Sequence, residues 1–205
     1  MVSGLTPEEF LRPTLADGWD VADLLFHQLL DAQRALIALA SPTTEPADVD
    51  FVSYWRPFRP DAGDDALAHA RFVRLAATAY SSPGALVEQW SATSAAAVRA
   101  AGAADPAGRI RTQGHTLAVP DFLATLAVEA TIHHLDLTAH LPEARPADPA
   151  GLALVRRTLD GLLGIPLPVA WTDEEYAVKG TGREQLSAAD REAFGETADR
   201  LPLLG

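Results

Sequence analysis

The stretch from Pro120 to Leu141 limits the fold most, because it is apolar around almost its whole helical circumference and still carries a glutamate and three histidines. Leu123, Ala124, Ala127, Val128, Ala130 and Leu135 cover most of the wheel, so a helix here is buried on several sides and central to the protein. With Glu129 at zero and about 100° per residue, His133 falls at about 40°, His140 at about 20°, Asp136 at about 340° and Thr125 at about 320°. Phe122, Leu126, Ile132 and Leu137 flank the same arc. A bare charge in that setting is costly, so Glu129 needs an arginine, a histidine or a metal. The i, i+4 spacing lets Glu129 and His133 converge from one face. Their convergence fits an ordinary buried hydrogen bond or two ligands of one ion.

Three further segments have helical patterning, separated by breaker-rich stretches at Pro42–Pro46, Pro57–Gly63, Ser81–Gly84 and Ala103–Gly108. The first runs from about Gly18 to Ala40, with Asp20 as N-cap before Val21, Leu24, Leu25, Leu29, Leu36 and Leu39. The second covers about Asp64 to Tyr80. The third begins at Pro83, in the turn where proline suits a helix, and sets Leu86, Trp90, Thr93, Ala97 and Val98 on one stripe. Pro120 and Asp121 open the fourth, and Pro142 stops it. Between the third and fourth, Arg109 to Val119 alternates loosely around Gly114, as a short hairpin or an extended crossover. A further helix is expected over Gly151–Leu163, and Trp171–Gly205 holds at most short helices. Long helices with short connections predict an antiparallel bundle.

The 205 residues are 48% hydrophobic, enough for a substantial core. Sixteen Lys+Arg against 28 Asp+Glu leave a net charge of −12, which argues against nucleic acid and against anionic membrane. There is no apolar run of signal-peptide or membrane-span length, so the expected location is the cytoplasm. With no cysteine, thiol chemistry would require a bound small molecule. No Gly-rich phosphate loop and no Gly-x-Ser-x-Gly elbow is present.

A third ligand for a metal at Glu129 and His133 would come from another helix, and His27 is the candidate. Asp23, Asp31 and Arg34 share its stripe, which a solvated polar face explains equally well. His134 is turned about 140° from Glu129, His140 lies almost two turns further on, and His69 and His115 lack a metal-spaced partner.

Two segments resemble a known family. Gly18-Trp19-Asp20-Val21-Ala22-Asp23-Leu24-Leu25-Phe26-His27 is similar to the "GW-x-V-x-DL-x-x-H" signature of the mycothiol-dependent maleylpyruvate isomerase family, within the DinB-like metalloprotein superfamily. Val128-Glu129-Ala130-Thr131-Ile132-His133-His134-Leu135-Asp136-Leu137 resembles its "VE-x-x-x-H-x-x-DL" segment. The resemblance implies an all-α, DinB-like antiparallel four-helix bundle holding Zn2+, or another divalent metal, on His27, Glu129 and His133. It also implies mycothiol as thiol cosubstrate, in isomerisation or thiol transfer on a small organic molecule. Two His and one Glu leave a coordination position open, as catalytic zinc sites do. The alternative is a non-catalytic metal- or ligand-binding protein of the same fold.

Family members carry a long helix before the tryptophan motif, whereas 17 residues, including Pro7 and Pro13, precede Gly18 here. The bundle, placed in residues 1–149, is therefore expected to be completed by Gly151–Leu163 or by a second copy, as monomer or homodimer. Residues 150–205 are expected to form a C-terminal helix and a short, irregular Gly-rich tail packed on the bundle. That tail is too short to be the larger C-terminal domain of the family's isomerases, so maleylpyruvate is not carried over as substrate. Asp136, Asp31 and Arg34 are candidates for orienting the ligands. Arg183 is a candidate carboxylate clamp, with a solvated loop arginine as the plainer reading.

Overall fold

Five of the helices begin at short polar side chains, which satisfy backbone N–H groups that a helix start leaves without partners. In the computed structural model, which describes residues 2–58, 64–141 and 144–204, Asp20 opens α1 (Val21–Leu39). Its carboxylate accepts from the Asp23 N–H, and the Asp23 carboxylate accepts from the Asp20 N–H. α2 (Asp64–Ala77) follows, then α3 (Pro83–Ala103), capped by Ser82 with Pro83 in its first turn. α4 (Val119–Thr138) begins with Pro120 and Asp121, and α5 (Pro149–Leu163) is capped by Asp148 and closed by Gly164. Thr172–Glu175 and Ser187–Asp190 form reciprocal boxes that open α6 (Asp173–Gly180) and α7 (Ala188–Phe194). Pro142, expected to stop the fourth helix, lies outside the described residues, as do residues 59–63 of the second breaker.

The loosely alternating stretch is a hairpin. β1 (Arg109–Thr112) pairs antiparallel with β2 (His115–Ala118). Gln113 and Gly114 both have positive φ, 47° and 82°, the signature of a tight two-residue turn whose twist matches the strands. Gly makes this cheap at the second position; Gln113 accepts the strain at the first. Ile110 and Leu117 point into the core. Among the described residues this is the one sheet in an otherwise helical chain. No described helix is long and apolar enough to cross a membrane.

α1 is the hub. It packs broadly on α3 and also meets α2, α4 and β1, while α4 packs on α5 and α5 on α6. One apolar cluster joins Leu24, Leu25 and Leu29 of α1 to Val73 and Leu86, with Val2 and Phe10 from the N-terminal segment. The other joins Val128 and Ile132 of α4 to Val155, Leu159 and Leu163 of α5. It also takes in Trp171, Tyr176, Phe194 and Leu203, so the segment expected to be an irregular tail supplies large core residues. The Gly and charge content there reflects capping boxes and tight turns. Lys179 donates to Asp190 at 2.9 Å, and Asp190 also accepts from the Trp171 indole at 3.0 Å.

One stripe residue differs from expectation. Val98 is 73% exposed, because one position past Ala97 the helix has turned about 100° away from the Leu86 face.

Leu159, wholly buried between α4, α5 and the C-terminal segment, tests this second core. Leu159→Ala is expected to cost about 2–5 kcal/mol in urea unfolding, as a buried leucine truncation does. A loss below about 1 kcal/mol would mean that α5 and the tail do not share the core with α4.

Candidate metal centre

Two i, i+4 pairs face each other where α1 meets α4. His27 and Asp31 come from α1, and Glu129 and His133 from α4. One ligand-type atom from each lies within 4.8 Å of all the others. His27 Nε2 is 3.4 Å from Glu129 Oε1 and 3.4 Å from Asp31 Oδ2, and His133 Nε2 is 3.4 Å from Glu129 Oε1. These separations are long for hydrogen bonds. They leave room for a shared ion, since metal–ligand bonds of about 2.1 Å would hold neighbouring ligand atoms about 3.4 Å apart. Asp31 Oδ2 is buried and has no hydrogen-bond partner among the described residues. An orphaned carboxylate oxygen beside two imidazole nitrogens and a second carboxylate is a donor set that fits a divalent metal such as zinc.

Each of three inner groups is held from behind. Asp136, wholly buried, accepts from His133 Nδ1–H at 2.9 Å, which leaves His133 Nε2 facing the cluster. Arg183 in turn donates to both Asp136 oxygens, from Nε at 3.1 Å and from a terminal nitrogen at 3.2 Å. Behind His27, Nδ1 lies 3.3 Å from Nε2 of His69. With His27 Nε2 free to ligate, its Nδ1–H donates to His69. Arg34 holds the other oxygen of Asp31 at 2.9 Å. The Trp19 ring lies against His27 at 5.0 Å. Such outer contacts fix ring orientation and tautomer in metal sites.

The electrostatics follow from burial set against these partners. Burial opposes the Glu129 charge, yet the His133 and His27 rings beside it hold its carboxyl well below the usual range. Burial also opposes charge on His133, but the Asp136 and Glu129 carboxylates outweigh it and push the imidazole up to about 9. Asp136 is kept ionised against burial by His133 and Arg183. Burial raises Asp31, despite His27 beside it, and the Glu129 charge adds to the rise. Burial lowers His69, which suits its role as an acceptor.

The structure brings His27, Asp31, Glu129 and His133 to one point, with Asp136, Arg183 and Arg34 directly behind. Arg183 is only 12% exposed, so the plain reading of a solvated loop arginine does not hold; the carboxylate it clamps is the protein's own. His134 donates to the Arg145 carbonyl, away from the cluster, and His140 is exposed beyond the end of α4. His115 pairs with Asp48 on the hairpin, beside a surface depression where Arg111 likewise pairs with Glu45. Sequence reasoning missed His69, because spacing within one segment cannot show a pairing across two helices 42 residues apart. It also missed Tyr54, whose hydroxyl bonds Gln113 and whose acidity is pushed by burial to about 12, with Arg34, Glu129 and Asp31 close enough to act on it.

A pH test follows from His133. Its folded value of about 9 exceeds the ordinary 6.5, so the proton stabilises the fold fully below about pH 6.5, and this is lost as pH rises through 9. In chelator-treated protein the melting temperature is expected to fall across that window, and Asp136→Asn to flatten the fall. An unchanged slope in the variant would rule out Asp136 as the partner that holds the proton.

Residues 1–138, about two thirds of the chain, match the family described as mycothiol maleylpyruvate isomerase N-terminal domain. Comparison with curated proteins and with solved structures finds no match. The matched span takes in α1 and α4 with all four converging residues, and on this match the chain belongs to the mycothiol maleylpyruvate isomerase N-terminal domain family.

Proposed function

We propose that His27, Glu129 and His133 hold one divalent metal, zinc in preference, and that a low-molecular-weight thiol such as mycothiol reacts there with a small organic substrate in an isomerisation or thiol transfer. The observation that carries this is the convergence of the two i, i+4 pairs on one point in a chain of this family. The placing of α1 among α2, α3 and α4 supports a DinB-like four-helix arrangement beneath it. We place the protein in the cytoplasm, where small thiols are kept reduced.

When bound, the metal would supply a Lewis acid that makes a thiol or water ligand nucleophilic near neutral pH. The residues around it divide the remaining work. Asp31 Oδ2 has no hydrogen-bond partner among the described residues and is placed to accept the proton that an entering thiol gives up. Arg34, about one-third exposed, holds Asp31 in line and offers a cation to an anionic group on the substrate. Trp19, packed on His27, helps to keep water from that face.

A second reading, a metal-binding protein without catalysis, is favoured by one observation. Asp31 lies within ligand distance of the other three and would close the coordination sphere as a fourth protein ligand.

Metal analysis of the purified chain, with variants, tests both. Glu129→Gln is expected to lose metal, since the amide keeps the shape without the charge, whereas His134→Gln retains it. Chelation should lower the melting temperature of the wild type, the binding being worth about 2.7 kcal/mol at metal one hundred-fold above Kd. Equal loss in both variants would mean that the α4 register is misread. Asp31→Ala separates the readings: retained metal with a lost thermal shift on adding mycothiol supports the open, thiol-using site. Metal loss equal to that of Glu129→Gln supports the closed one.

A further inference from the structure

We infer that Arg183 is a positioning residue for the metal centre, acting through Asp136, so that metal binding and order in the C-terminal segment are coupled. This rests on the metal reading above and adds a part of the chain that the family match does not reach, since Arg183 lies 45 positions beyond residue 138.

The contacts run in one line. Asp136 is 0% exposed, and one of its oxygens receives the His133 ring N–H while both receive Arg183. A metal-bound imidazole is neutral, so the charge that balances the buried Asp136 carboxylate then falls to the guanidinium. Two-pronged donation also fixes the carboxylate plane, which a single point charge would not do. That plane aims the His133 ring.

The C-terminal segment is built to hold this arginine inward. The Arg183 N–H bonds the Val178 carbonyl at 2.8 Å, and its remaining terminal nitrogen bonds the Thr181 carbonyl at 2.9 Å. Gly182 has φ 77°, and a Cβ there would sit 3.1–3.2 Å from Pro202, so glycine lets the chain turn Arg183 back toward α4 without strain or crowding. The Leu203 N–H bonds the Gly180 carbonyl at 2.8 Å and closes the last residues over the turn. Tyr176 and Ala177 anchor α6 beneath it, both buried. A coupling of this kind is reciprocal: whatever the segment does for the metal, the metal does for the segment.

The test uses the full chain and Zn2+ alone. Zinc affinity is measured by chelator competition for wild type, Arg183→Gln, Asp136→Asn and the double variant. Each single change is expected to weaken binding about 10–100-fold, the usual effect of losing a group behind a ligand. The double variant should bind no worse than the weaker single, because without the carboxylate the arginine has nothing to act through. Hydrogen exchange in residues 176–186 should slow on adding Zn2+ to the wild type and be indifferent to it in Arg183→Gln. Single variants with wild-type affinity, fully additive losses, or exchange blind to zinc in the wild type would overturn the inference. If Arg183→Gln does not fold, Arg183→Lys carries the test: it keeps the charge and loses the two-pronged grip, and unchanged affinity in the folded variant would overturn it equally. A wild-type chain that takes up no zinc would overturn the metal reading itself, and the coupling with it.

Discussion

The structure depends on how negative charge is held where α1 meets α4. Asp31, Glu129 and Asp136 bring three carboxylates into or beside an apolar interface, a setting in which an unmatched ion costs several kcal/mol. Two guanidiniums, Arg34 and Arg183, answer them and leave one negative charge. The imidazoles of His27 and His133 can carry the balancing proton, which is what lifts His133. On the proposed three-ligand reading, a divalent ion on His27, Glu129 and His133 would displace that proton and leave the cluster, Asp31 included, with one positive charge. A thiolate or hydroxide arriving there would bring it to neutral. With the proposed metal in place, the same accounting that makes the cluster tolerable inside the protein would make it receptive to an anion.

The α4 wheel made the Glu129–His133 pair legible, since polar residues on an otherwise apolar surface are the rarer and more informative observation. Asp20 was legible too, because a helix start has a local chemical requirement that a single residue meets. His27 was legible as the best-placed histidine for a third ligand, but with Asp23 and Asp31 on its stripe the pattern was less decisive, and the resemblance strengthened it. The structure shows why: that stripe is buried, and Asp31 shares the cluster. Arg183 and His69 left no usable trace. Their partners lie 47 and 42 positions away, and such pairings are fixed by tertiary packing alone.

The described segments on either side of α1 and α4 cover these helices from two sides. Residues before α1 form 3-10 turns and a bridge from Pro13 to Asp20, and bury Val2 and Phe10 against the α1 and α3 cluster. The Leu15 N–H reaches the Asp136 carbonyl, tying this segment to the turn of α4 that carries the charged pair. On the other side α5 lays Leu152, Val155, Leu159 and Leu163 along one stripe and packs against α4.

The family match stops at residue 138, at the end of α4, but the packing does not stop there. Val128 and Ile132 share a cluster with Trp171, Tyr176 and Phe194, so α4 meets α1 while it also packs on the hairpin and on the C-terminal segment. Closely packed interiors transmit small displacements, because they have little free volume in which to absorb them. A helix held this way cannot shift toward or away from α1 without disturbing the core behind it. Leu159 and Tyr176, in the core behind α4, therefore help to set the separation between the two i, i+4 pairs. A chain can keep the family's motifs and still retune the site by changing residues that no motif contains.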